Sequence, residues 1–181
     1  MSFGVTMSRM DAGLALKLLE LALILGVDGY LLYFLLRGAP YLPTKKDGVA
    51  KMVALARVGH GMKAADLGSG DGRIVIALAK TGAEAHGYEV NPFLVWWSRR
   101  KIRAAGVADR AFIHRKSFWS TSFESFDAVT VFGITHIMKR LEKKLRRELR
   151  PNARVVSNGF VFPIWTPVTD DGCIYLYEQR V

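Results

Sequence analysis

The stretch Asp66-Leu67-Gly68-Ser69-Gly70-Asp71-Gly72 decides the fold. It follows a short apolar run, residues 63–67, and precedes RIVIALAK, residues 73–80, so it reads as strand, glycine-rich turn and helix. Glycines permit a tight turn and let a ligand approach the backbone, with free amides at the start of the next helix. A dinucleotide fingerprint would carry G-x-G-x-x-G, but Arg73 stands at the third glycine position. No Gly-Lys-Ser/Thr follows, so this is not a Walker loop. Asp66 and Asp71 would repel a pyrophosphate and suit a ligand bearing an amine and a sulfonium. Glu89 closes the next apolar run, 21 residues after Gly68, where a carboxylate can accept both hydroxyls of a ribose. A plain strand–helix connection would need neither carboxylate; the pattern predicts a nucleoside ligand.

Outward from this turn, apolar runs alternate with helical patterns, the rhythm of a mostly parallel α/β sheet. Helices are expected over 44–58, 73–80, 92–105 and 137–149, and strands over 63–67, 85–90, 111–115, 128–132, 153–157 and 174–179. Asn91 is a good N-cap and Pro92 a good first helical residue. Asp170-Asp171-Gly172 supplies a turn that makes the last strand antiparallel to its neighbour, in a sheet expected to hold seven strands.

The chain has 181 residues, half of them hydrophobic, which suits one domain with a short appendage. A single cysteine, Cys173, excludes an intramolecular disulfide and a multi-cysteine zinc cage. His60, His86 and His114 show no metal-ligand spacing, so no metal is expected. The net charge is 26 − 16 = +10. Residues 1–40 hold three bases and three acids, so all of the excess lies in residues 41–181. A domain this basic suits an anionic partner such as nucleic acid or lipid headgroups, although a solvated surface is the alternative.

Residues 14–36, LALKLLELALILGVDGYLLYFLL, would span roughly 35 Å as a helix. Fourteen Leu, Ile, Val and Phe residues favour insertion by about 0.3–0.6 kcal/mol each, and Asp28 opposes it by about 2.5–3.5 kcal/mol. Lys17, Glu20 and Asp28 fall within about 80° of one another on the helical wheel, one polar stripe on an apolar helix. The expectation is a transmembrane helix in residues 1–38, ahead of a domain in residues 39–181. An interfacial or oligomer-forming helix and an ordinary globular helix stand as alternatives. Arg37, Lys45 and Lys46 outnumber Arg9, which places the domain on the cytoplasmic (or matrix) side of a single-pass membrane protein.

DLGSGDGRIVIA, YEVNPFLVWWSR and ELRPNARVVSNGFVFPIWTP together resemble the S-adenosylmethionine-dependent methyltransferases related to the mitochondrial lysine methyltransferases of the ATP synthase c-ring protein and the adenine nucleotide translocase. The resemblance runs from about Tyr41 to Pro167. It implies a Rossmann-like seven-stranded methyltransferase sheet, S-adenosyl-L-methionine as cofactor and a lysine side chain of a membrane-associated protein as substrate. It also implies that Asp66, Gly68, Ser69, Gly70 and Gly72 form the cofactor turn, that Glu89 takes the ribose with Asn91 beside it, and that Tyr41 and Thr44 lie near the methionine end. Where that family tends to place an aspartate near the adenine, this chain has Ser117, a weaker partner.

His136, after the fourth strand, is a candidate base, against the plainer reading of a surface or capping histidine. The pair Trp96-Trp97 adjoins Arg99, Arg100, Lys101 and Arg103; it reads as core on one side, with nucleic acid or a membrane surface as the other readings. Residues 139–150 carry seven bases and two acids, expected to be a solvated face. The rival activities are an RNA or DNA methyltransferase, suggested by charge, and a non-catalytic cofactor-binding membrane module. Against nucleic acid, the fourth strand ends in Val-Phe-Gly-Ile, with neither an Asn/Asp-Pro-Pro-aromatic motif nor a Pro-Cys nucleophile.

Overall fold

The computed structural model describes residues 12–37, 42–133 and 135–180, with side chains of the first helix described over 13–29. Internal contacts divide the chain into two units, Met1–Pro40 and Tyr41–Val181. In the first, α1 (Ala12–Arg37) runs for 26 residues. Leu16, Leu19, Leu23 and Leu25 point to different sides of it, and each is 63–68% exposed. Among the described residues, no helix is long and apolar enough to cross a membrane. The expected transmembrane segment therefore has no support here. Lys17, Glu20 and Asp28 all fall within residues 13–29, which span only roughly 26 Å of helix.

In the second unit, β1 (Lys63–Leu67), β2 (Glu84–Glu89), β3 (Ala111–Arg115), β4 (Ala128–Phe132) and β5 (Arg154–Asn158) are parallel, and β7 (Ile174–Glu178) lies antiparallel to β5. With β6 (Thr169–Asp170) they form one seven-stranded sheet in the order β3-β2-β1-β4-β5-β7-β6. The direction of strand order reverses between β1 and β4, the place where open α/β sheets bind ligands beyond the strands' carboxyl ends. The glycine-rich turn leaves β1 at that point.

Successive residues of each strand serve opposite layers. Ala64 and Val156 face a core built by α2 (Lys46–Ala56), α3 (Arg73–Lys80) and α4 (Pro92–Ala104), through Met52, Leu78 and Ile102. Ala65 and Val155 face a second core under α5 (Thr135–Glu148), with Leu141, Leu145, Phe162 and Tyr177. Six of the seven strands lie within a residue of the expected positions. The exception is β6, a two-residue strand where only a turn was anticipated. The tight turn falls just after it, at Asp171-Gly172, where Asp171 Oδ1 accepts from the amides of Cys173 and Ile174 at 3.1 and 2.7 Å. The second helix begins at Lys46 rather than Thr44, because Thr44 is taken up by contacts described below.

The basic face of α5 is solvated as expected: Lys139, Arg140, Lys143, Arg146 and Arg147 are exposed, while Glu142 is buried. The tryptophan pair departs from expectation. Trp96 is 54% and Trp97 41% exposed, since Val95, Ser98 and Ile102 already fill the inward face of α4.

Candidate active site

The turn is built as its composition requires. Gly68, Gly70 and Gly72 all have positive φ, at 74°, 53° and 78°. Gly72 carries a second constraint, because a Cβ there would come within 2.8 Å of Ser98 Cβ on α4. Gly68 is the reverse case: an added Cβ would meet no atom within 4 Å. The turn therefore packs tightly on its underside and leaves open space above its first glycine. Ser69, expected on the ligand side, is buried instead, and its hydroxyl faces the strand glycine Gly87, whose added Cβ would lie 2.6 Å from Ser69 Oγ.

Glu89 sits at the end of β2 and holds the turn from the side. Its Oε2 accepts from Gly70 N at 3.0 Å, and its Oε1 accepts from Val90 N and Asn91 N, both at 2.8 Å. A carboxylate offers about four acceptor positions, so three amides leave about one for a ligand hydroxyl. The residue is a brace as well as a ribose candidate, and no motif in the sequence signals this. Asn91 is similarly committed: its Oδ1 accepts from Phe93 N at 2.9 Å and Leu94 N at 3.4 Å, capping α4.

Asp66 is buried at the end of β1 and accepts from Thr130 Oγ1 of β4 at 2.7 Å. Burial pushes its carboxyl up to about 7, against the Thr130 hydrogen bond and with help from the charges of Glu89 and Asp71. A cation beside it would favour the ionised form, so Asp66 is the group best placed to gain from a ligand ammonium.

Asp71 was expected to share that task and does not. Its Oδ2 is bound by Arg73 Nη2 at 2.9 Å and Lys101 Nζ at 2.5 Å, and its Oδ1 by Arg73 Nε at 2.9 Å. Burial raises its carboxyl, but these hydrogen bonds and charges outweigh burial and hold it at about 2. Arg73 Nη1 also donates to the Thr44 carbonyl at 2.7 Å, and Asn158 Nδ2 donates to Thr44 Oγ1 at 3.3 Å. Thr44 is thereby fixed between the turn and the end of β5, at a pocket of about 320 Å³ lined also by Lys46, Val49 and Lys101. A second pocket, about 350 Å³ around His60, Gly82 and Arg110, lies at the opposite edge of the sheet, away from these groups.

Ser117 is the N-cap of a short 3₁₀ turn (Phe118–Ser120), and its Oγ accepts from Trp119 N at 3.3 Å. His136 lies exposed in the first turn of α5. Tyr41 lies outside the described residues. The structure thus gathers Thr44, Asp66, the turn and Glu89 around one strand edge. It adds Thr130, Arg73, Lys101 and Asn158, which scattered sequence positions could not have signalled.

The ANTKMT methyltransferase domain matches residues 66–169, from the buried aspartate of β1 to the start of β6. The chain belongs to the ANTKMT methyltransferase domain family. The human lysine N-methyltransferase named for the c-ring protein of ATP synthase is 44% identical over 135 residues, covering 74% of this chain and 58% of its own length. The chain thus spans little more than half of that relative. A protein-lysine N-methyltransferase of Saccharolobus islandicus is 35% identical over 148 residues, 76% of this chain and 92% of its own. Among solved structures, an RNA methyltransferase from Salinibacter ruber in complex with S-adenosyl-L-homocysteine is 34% identical, with a TM-score of 0.72, covering 77% of this chain and 94% of that one. These likenesses place the sheet, the turn and the two carboxylates in a methyltransferase fold.

Proposed function

We propose that the chain is an S-adenosyl-L-methionine-dependent protein-lysine N-methyltransferase acting on a membrane-associated protein. The observation that carries the reading is the family match over 66–169, which takes in the turn, Asp66 and Glu89 together, with a relative named for lysine methylation aligned over 92% of its length. The residues fit the cofactor: open space above Gly68, a buried carboxylate at Asp66 suited to an ammonium, and remaining acceptor capacity on Glu89 for a ribose hydroxyl.

Bound there, the cofactor supplies a methyl group on a sulfonium, which a neutral amine can attack. The protein's part is placement and exclusion of water more than acid–base chemistry. Asp66 holds the ammonium end, Glu89 fixes the turn and the ribose, and Thr44 with Tyr41 borders the methionine end. Asn91 contributes by starting α4 and Ser69 by packing the turn, while the Ser117 hydroxyl remains a donor for the adenine side. A substrate lysine must shed its proton before attack, and a desolvated approach beside a cationic ligand lowers its pKa. No catalytic base is assigned; His136 is exposed, and no contact among the described residues singles it out.

Membrane association of the target is supported by α1, whose described apolar side chains are exposed on all sides, a surface that water does not tolerate unaccompanied. The charge bias after α1 favours the domain on the cytoplasmic or matrix side. The experiment is mass spectrometry of membrane proteins from cells with and without the chain, repeated with Asp66→Ala. Lysine methylation that appears only with the intact chain supports the proposal. The alternative, RNA methylation, is favoured by the description of the Salinibacter structure and by the +10 charge. Methyl label in RNA, with none in protein, would establish it instead.

A further inference from the structure

Helix α4 carries a surface that cofactor binding leaves unused. Phe93 is 59% exposed, and with Trp96 and Trp97 it forms one aromatic cluster, ring centroids 6.0–6.4 Å apart. Positions 93, 96, 97, 100 and 103 follow one another at three- and four-residue steps, so Arg100 and Arg103 continue the same outward stripe, and both are exposed. No acidic residue occurs in α4. The aromatic end lies directly after β2, next to Glu89 and so at the sheet edge that holds the glycine-rich turn.

We propose that the stripe Phe93–Trp96–Trp97–Arg100–Arg103 seats the domain on the surface of an anionic lipid bilayer, with the mouth of the site toward the membrane. This extends the membrane-associated reading above, on which its biological use rests, from α1 to the domain itself. Tryptophan has an apolar body and a polar N–H, the combination that settles at the headgroup boundary. Arginines one and two turns farther along the helix then meet lipid phosphates. The rings pack on one another as a continuous patch rather than standing apart as platforms for successive bases, which favours a lipid surface over single-stranded RNA. The whole +10 charge lies in residues 41–181 and complements an anionic surface.

The test uses the full chain with vesicles of phosphatidylcholine and phosphatidylglycerol whose acyl chains are brominated near the headgroup. Tryptophan quenching reports on the stripe whatever α1 does. Wild-type emission is expected to fall on adding vesicles, and the fall to disappear in Trp96→Phe/Trp97→Phe, which leaves only Trp119 and Trp165. Each basic side chain near such a surface is worth roughly fivefold in partitioning, so Arg100→Glu/Arg103→Glu should need about tenfold more lipid or above for equal quenching. S-adenosylmethionine affinity, measured on the same variants, confirms that they fold. The proposal is overturned if the wild type is not quenched, or if quenching survives in the double tryptophan variant. It is also overturned if the patch proves to be covered by a second copy, seen as a doubled mass that Phe93→Ser abolishes, or by RNA that binds in competition with vesicles. Methyl transfer is read separately, so failure of the lysine methyltransferase reading would leave the quenching result standing, and the reverse.

Discussion

The backbone amide of Gly70 donates to Glu89 Oε2 at 3.0 Å, joining the turn after β1 to the end of β2. Because the same carboxylate also takes the amides of Val90 and Asn91, Glu89→Ala strands three donors at once. The expected loss is about 1.5–3 kcal/mol in cofactor binding, tenfold or more in affinity, since a charged acceptor disappears. Thermal stability should fall with it. Calorimetric titration with S-adenosylmethionine, beside a melting curve, checks both; unchanged affinity would remove Glu89 from the ribose.

Asp66, with its carboxyl near 7, makes cofactor affinity depend on pH. The ionised form prefers an ammonium, so affinity should rise from pH 5 to about 7 and then level off, and Asp66→Asn should bind weakly with no such rise. Stability moves the opposite way. An unfolded aspartate loses its proton near 3.9 whereas the folded one keeps it to about 7. Between those values the native state binds more protons, so unliganded stability falls as pH rises through the window. Titrations and melts at a series of pH values test the two signs together.

For Asp71 the sign reverses, because Arg73 and Lys101 hold its carboxyl at about 2. Its contribution is fully present above about pH 4 and is lost as pH falls through about 2. The stability gap between wild type and Asp71→Asn should therefore be constant from pH 7 to 5 and close below pH 3. A gap that stays open in acid would show that the ion cluster does not act through this carboxylate.

Gly72→Ala should cost about 2–4 kcal/mol of stability. A left-handed backbone penalises any Cβ by about 1–2 kcal/mol, and the 2.8 Å approach to Ser98 Cβ adds an overpacking cost of about 1–3 kcal/mol. Ser98→Gly in the same chain relieves the second cost and leaves the first. Denaturant unfolding of the two single variants and the double variant separates them; additive effects would mean that the contact is not felt.

Much of this was legible in the sequence because it is local. The spacing of glycines announced the turn, Asn91-Pro92 announced the start of α4, and alternating apolar runs gave five parallel strands in their right places. What escaped depends on chain separation. The Thr44 contacts with Arg73 and Asn158 join positions 29 and 114 residues apart, and the bond from Thr130 to Asp66 spans 64. Asp71 looked like a ligand carboxylate because Lys101, 30 residues on, has no visible link to it. The tryptophans looked like core because their residue type is a weaker guide than the helix face, already filled by Val95, Ser98 and Ile102. In α1 the apolar count was legible, but the three charges sharing its described length weigh against a span.

Deleting residues 1–40 should leave a folded domain that binds S-adenosylmethionine with unchanged affinity, since the turn and Glu89 lie in the second unit. Methylation in cells should fall much more than affinity does, because a membrane-confined encounter with the substrate is lost. Cofactor titration and cellular methylation of the shortened chain measure the two effects. Unfolding on truncation would instead make α1 part of the core.

The brevity of β6 has a bearing on how the protein behaves in crowded solution. An edge strand is a template on which foreign chains can polymerise, and its hazard grows with the length of unpaired backbone it offers. Here the outer edge beyond β7 is only Thr169–Asp170, ended at once by the Asp171-Gly172 reversal. That side of the sheet is closed to growth by arithmetic alone. Of the two borders, only β3, with Phe112 38% exposed and five residues long, remains long enough to recruit another strand.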